Sequence, residues 1–145
     1  MIVTDQKALS KPCTPCESLN EGLDIGKKLL DVLQKTKDGV GLAANQIGIS
    51  KTVCVVNVEK PIILVNPRIV GRFGKGTYVE SCLSFPGATV ATERWTNILI
   101  ETLNNIPDKL FSYEKNPLEC VCAQHEIDHL EGVTMFDRAK GGRDE

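Results

Sequence analysis

His125 and His129 are the only two histidines of the chain, and they stand four residues apart in Gln124-His125-Glu126-Ile127-Asp128-His129. A helix turns once in about 3.6 residues, so this spacing places both imidazoles on one face, one turn apart, where they can grip a single metal ion. Glu126, beside the first histidine, can take a proton from a water that such a metal acidifies. The bland alternative is a pair of hydrogen-bonded core histidines. Two donors do not complete a catalytic metal site, and a third has to come from elsewhere in the chain.

The elements that must position these residues can be read from pattern. A helix carrying the histidines is predicted from about Pro117 to Glu131, with proline suited to its first turn and Gly132 as its stop. Leu118, Val121, Cys122, His125 and His129 share one face of it. A second, amphipathic helix is predicted over 20–37, capped by Asn20, with Leu23, Gly26, Leu30 and Leu33 inward and Gly39 as its stop. Residues 1–19, with Pro12 and Pro15, read as irregular. Gly39 to Gly48 reads as a Gly/Ala loop or turn. Thr52–Val58 is β-branched and apolar, and Pro61–Val70 reads as a strand broken at Asn66-Pro67. Gly71, Gly74 and Gly76 read as a turn. Further strands are expected over Thr77–Ser84, Thr96–Leu103 and Lys109–Tyr113. Lys140 to Glu145, rich in glycine and charge, is expected to fray. These elements predict one α+β domain over residues 1–145, its antiparallel or mixed sheets packed around a central helix that carries the His-Glu-x-x-His motif.

Composition narrows the function classes. The 145 residues are 41% hydrophobic and 25% charged, ordinary values for a globular domain. A net charge of -2 and a pI near 5.7 give no basic footprint for nucleic acid or an acidic membrane. No apolar run is long enough to cross a bilayer. The start has neither a secretory nor a transit pattern, so a cytoplasmic location with reduced thiols is expected. The six cysteines are then core residues or ligands rather than a disulfide framework. Cys13 and Cys16 form a C-x-x-C without a second one at finger-like spacing, and are read as structural.

Three short blocks occur in order: Gly39-Val40-Gly41-Leu42-Ala43-Ala44-Asn45-Gln46, then Glu80-Ser81-Cys82-Leu83-Ser84, then Gln124-His125-Glu126-Ile127-Asp128-His129. Together they resemble the motifs of the peptide deformylases, and the resemblance covers nearly the whole chain. It implies that Cys82, His125 and His129 hold one divalent metal ion. Fe²⁺ is the usual ion, with Zn²⁺, Ni²⁺ or Co²⁺ able to take the same donors. Three protein ligands leave one tetrahedral position open, as catalysis requires. The resemblance further implies that Glu126 is general base and acid, and that the Leu83 backbone N–H and the Gln46 amide receive the oxyanion. For Gln46 alone, a loop glutamine bonding nearby backbone is the alternative.

The implied substrate is an N-formylmethionyl nascent peptide, which loses its formyl group as formate. Val40, Leu118, Val121 and Cys122 are expected to line the methionine slot, and Gly41 to let the peptide approach like an added strand. Glu80 is expected to pair with Arg94 and hold the Cys82 loop. Asp128 is expected to be a supporting or a surface partner rather than a ligand, and Cys120 to point away from the pocket. The family places such an enzyme in the cytosol of a bacterium or of a phage-infected host, in transient contact with the ribosome, and a monomer is expected. Two features depart from the pattern. Ser81 stands where the family has glycine, which matters if that position needs positive φ. The chain also ends soon after Gly132, as in the short phage-encoded members, without the usual C-terminal helix. A small zinc endopeptidase and a metal-binding protein without activity are the competing readings.

Overall fold

The computed structural model describes residues 1–140; of the segment expected to fray, 141–145 lie outside the described residues. Three helices and six strands follow one another as α1 (Gln6–Leu9), α2 (Leu19–Gln34), β1 (Gly41–Ala43), β2 (Val53–Asn57), β3 (Pro61–Val65), β4 (Arg68–Glu80), β5 (Val90–Glu101), β6 (Leu110–Ser112) and α3 (Pro117–Leu130), with short 3-10 segments at Ala44–Ile47 and Met135–Arg138. The strands form two three-stranded sheets, β1-β2-β3 and β4-β5-β6. All strand pairings within them are antiparallel. No helix among the described residues is long and apolar enough to cross a membrane.

α3 is the centre of the molecule. It starts where the sequence places it, with Pro117 in the first turn and Asn116 capping the Glu119 N–H at 3.1 Å. It ends before Gly132, whose φ of 80° turns the chain away. Every residue from Cys120 to Leu130 is buried, so beyond its first turn α3 has no solvent face, against the one-sided pattern expected. Cys120, Cys122, Ala123, Ile127 and Leu130 pack with Ala43, Cys54, Val56 and Leu64 of the first sheet and with Ile98, Ile100 and Phe111 of the second. A helix held between two sheets takes its side-chain directions from both, which fixes the histidines.

α2 covers the other face of the first sheet. Ser18 caps it, accepting from the Glu21 N–H at 3.1 Å, so it begins before the Asn20 cap read from sequence and ends by Gln34. Its buried face is Gly22, Ile25, Gly26, Leu29 and Leu33. Leu23 and Leu30 only flank that face. Two glycines lie on the packed side because β3 comes close there: a Cβ on Gly22 or Gly26 would overlap Val65 or Ile63. Apolar periodicity cannot register a contact made by missing side chains.

Of Gly39–Gly48, read as a loop or turn, Ala44–Ile47 is a 3-10 turn, but Gly41–Ala43 is a strand, β1. The turn read at Gly71, Gly74 and Gly76 lies inside β4, which pairs with β5 along its length and bulges between Ile69 and Gly71. Gly74, with φ 75°, supplies a left-handed residue within that strand. β4 therefore joins the end of one expected strand, 68–70, to the start of another, 77–80, while 81–84, read as strand, belong to the real hairpin loop 81–89 that carries Cys82. The break at Asn66 is real. Its φ is 48°, and its side chain accepts from Cys16 N at 2.8 Å and Thr52 Oγ1 at 2.6 Å. Cys13 and Cys16 pack into different core clusters, which separates the C-x-x-C pair.

Candidate metal centre and active site

Cys82 follows the last residues of β4, and the two histidines come from α3; the fold brings them together. Among the described residues, Cys82, His125 and His129 are the one group of histidine, cysteine or acidic side chains whose donor atoms converge, all within 4.8 Å of one another. Cys82 Sγ lies 3.4 Å from His129 Nε2. His129 Nε2 lies 3.2 Å from His125 Nε2. Metal–nitrogen bonds of about 2.1 Å and metal–sulfur bonds of about 2.3 Å put tetrahedral donors roughly 3.3–3.6 Å apart. The three donors therefore fit one ion of that size. All three residues are buried.

The ring of His125 is oriented from behind. Glu80 Oε1 sits 2.8 Å from His125 Nδ1, which directs Nε2 toward Cys82 and His129. Glu80 is held in turn by Arg94, through Nε–Oε2 at 2.6 Å and Nη2–Oε1 at 2.8 Å. Thr92 adds its hydroxyl to the same carboxylate. Arg94 Nη1 reaches Asp128 Oδ2 at 2.5 Å. Both the Glu80–Arg94 pair and the supporting position of Asp128 agree with the sequence reading. His129 Nδ1 has no protein partner; Asn45 Nδ2 instead bonds the His129 carbonyl at 2.6 Å.

These groups shift one another. Burial would push His125 down, but the charges of Glu126 and Cys82 and the hydrogen bond to Glu80 outweigh it and raise the imidazole to about 10. Burial lowers His129 to about 3, and the charge on His125 works in the same direction. Burial works against ionisation of Glu80, yet Arg94 and His125 win and hold it at about 2. Burial raises Glu126 to about 7, against the pull of His125. Glu126 Oε1 has no protein partner.

A cleft of about 460 Å³ opens onto this centre. Cys82, His125 and Glu126 are at its floor, and each residue expected in the methionine slot or along the peptide, Val40, Gly41, Leu118, Val121 and Cys122, is in its wall. Leu83 lines it as well. Gly41 has a reason that spacing did not reveal: a Cβ there would overlap Cys122 Sγ and come within 2.8 Å of Glu126 Oε2. Gln46 is buried. Its Oε1 accepts from Ala43 N at 2.9 Å, and its Nε2 points to Ser84 Oγ at 3.0 Å and Cys82 Sγ at 3.6 Å. Tyr78, Val79 and Phe85 also line the cleft, and no motif announced them. Cys122 Sγ contacts the Val40 carbonyl at 3.5 Å, whereas Cys120 Sγ turns away to the Trp95 carbonyl at 3.6 Å, as expected. Ser81 does not have positive φ and is exposed at the cleft, so serine is accommodated there without backbone strain.

The model of the polypeptide deformylases matches residues 1–145. The peptide deformylase of Hydrogenovibrio crunogenus is 34% identical over 148 residues, covering 97% of this chain and 85% of its own. That of Desulfitobacterium hafniense is 44% identical over 117 residues, 78% of this chain and 77% of its own. The crystal structure of peptide deformylase from Thermotoga maritima superposes with a TM-score of 0.84 at 30% identity, covering 96% of both chains. A probable peptide deformylase from Synechococcus phage S-SSM7 superposes with a TM-score of 0.83 at 28% identity, covering 95% of this chain and 98% of that one. The chain belongs to the polypeptide deformylase family of metal-dependent hydrolases.

Proposed function

We propose a division of labour for the reaction of this family, removal of the formyl group from N-formylmethionyl nascent peptides, over residues 1–145 acting as one catalytic domain. Cys82, His125 and His129 hold the metal, and the convergence of their donor atoms is the observation that carries the reading. A bound divalent ion supplies the Lewis acid that makes a water nucleophilic near neutral pH. Glu126 accepts the proton of the attacking water at Oε1, the oxygen that no protein donor occupies. It returns that proton to the amine nitrogen as the C–N bond breaks, so water and formamide become formate and a free amino terminus. The Leu83 N–H and Gln46 Nε2 donate to the carbonyl oxygen as it gains charge. The proximity of Gln46 Nε2 to Cys82 supports its place in that pair. Val40, Leu118, Val121 and Cys122 receive the unbranched methionine side chain, and Gly41 lies along the peptide backbone.

Fe²⁺ is the ion we assign because it is the usual one in this family; a thiolate and two imidazoles take Zn²⁺, Ni²⁺ or Co²⁺ as well. We place the protein in the cytoplasm of a bacterium or of a phage-infected host, as a monomer that meets nascent chains at the ribosome. Metal analysis of anaerobically purified protein tests the ligand set. The parent is expected to carry one ion per chain and Cys82→Ala none; stoichiometric metal in Cys82→Ala would contradict the assignment.

A further inference from the structure

The three proposed ligands sit on two separate pieces of chain, the Cys82 hairpin loop and α3. The segment after α3 touches both. Phe136, in the 3-10 segment Met135–Arg138, meets Phe85 of the Cys82 loop edge-on, with ring centroids 4.9 Å apart and planes at 76°. Phe85 is tied to the ligand by a tight turn, its N–H donating to the Cys82 carbonyl at 3.0 Å. Two residues on from Phe136, Arg138 donates to both oxygens of Asp128 on α3, through Nη2–Oδ1 at 3.0 Å and Nε–Oδ2 at 3.1 Å. Asp128 is joined through Arg94 to Glu80, and Glu80 to His125.

The segment is itself anchored. Thr134 N donates to Asp137 Oδ2 at 2.9 Å, and Met135 is buried. Ala139 bridges to Thr92, and Lys140 N donates to the Ala91 carbonyl at 2.7 Å. The contact has a second purpose. Asp128 is a buried carboxylate whose Oδ2 also accepts from Arg94. Arg138, whose side chain is 45% exposed, grips both oxygens of that carboxylate from the other side and fixes the face that Asp128 turns to Arg94.

We propose that the segment 134–139 is a strap that positions the metal ligands: Phe136 seats the Cys82 loop, and Arg138 fixes Asp128 in the series of bonds behind His125. Both are positioning residues, since neither lines the cleft. The proposal rests on the ligand assignment above, and its test separates the two. Cobalt-loaded protein is mixed with excess chelator, and loss of the thiolate-to-cobalt absorption band gives the release rate. The parent must first show that band and Cys82→Ala must lack it; failure there overturns the ligand set and the strap with it. Given a parent that passes, Phe136→Leu and Arg138→Ala are expected to release cobalt about ten-fold faster or more, with Arg138→Lys between Arg138→Ala and the parent. Leu29→Val, in the core of α2, is expected to unfold at lower temperature yet release cobalt at the parental rate. Parental release from the two strap variants, or equally fast release from Leu29→Val, would overturn the proposal.

Discussion

At Glu126 burial and charge pull one carboxylate in opposite directions, and burial prevails, which keeps a proton available at about 7. Replacing it by glutamine keeps the volume and removes the proton acceptor. Glu126→Gln is expected to hold metal at parental stoichiometry while formate release falls at least about a hundred-fold; turnover near the parental rate would remove Glu126 from its role. Glu80 behaves in the other sense. Its folded value is depressed to about 2 from the usual 4.5, so its contribution to stability is full above about pH 4.5 and drains away as pH falls toward 2. The stability gap between the parent and Glu80→Gln, read from urea midpoints in metal-free protein, should be widest near neutrality and narrow on acidification through that window. A gap that stays constant would show that the Glu80–Arg94 ion pair is not its source. Glu80 was legible as a partner of Arg94. Its bond to His125 was not, because that bond joins a strand end to a helix 45 positions away.

The elements carry the next scale. Sequence pattern found α3, β2 and β6 nearly as they are, because proline, glycine and β-branched residues punctuate them locally. It misread Gly71, Gly74 and Gly76 as a turn, since a glycine that bends a strand and one that ends it look alike until the partner strand is known. β5 showed only its clean alternation from Thr96 onward; its first half takes its regularity from pairing with β4. β1 was hidden for a related reason. Gly41, Leu42 and Ala43 have little strand propensity of their own and are held by Val56, Val55 and Cys54 opposite. The packing of β1 on α3 makes a sharp test. In Gly41→Ala the added methyl has to displace Cys122 or Glu126. We expect a loss of about 1–3 kcal/mol in stability together with reduced turnover. Unchanged unfolding midpoints and rates would mean that the two elements separate more easily than the packing implies.

For the molecule as a whole, a buried helix between two sheets brings donors from residues 82, 125 and 129 together, and a metal held there would join the β4–β5 hairpin to α3. A ligand that binds only the folded state stabilises it by about 2.7 kcal/mol at a hundred times its dissociation constant. Stripping metal with a chelator should therefore lower the melting temperature of the parent, and leave that of Cys82→Ala where it was; equal shifts in both would place the stabilising metal elsewhere. The convergence of Cys82, His125 and His129 was legible because histidine is so rare here and because Cys82 lies in an ordered series of blocks. Tyr78, Val79 and Phe85 were not, since they belong to no spacing and reach the cleft only through the hairpin. The most direct test of the account is the fate of formyl-Met-Ala-Ser incubated with iron-loaded protein. One formate and one intact Met-Ala-Ser per peptide consumed is the predicted result, whereas cleavage at an internal bond, or no product at all, would contradict it.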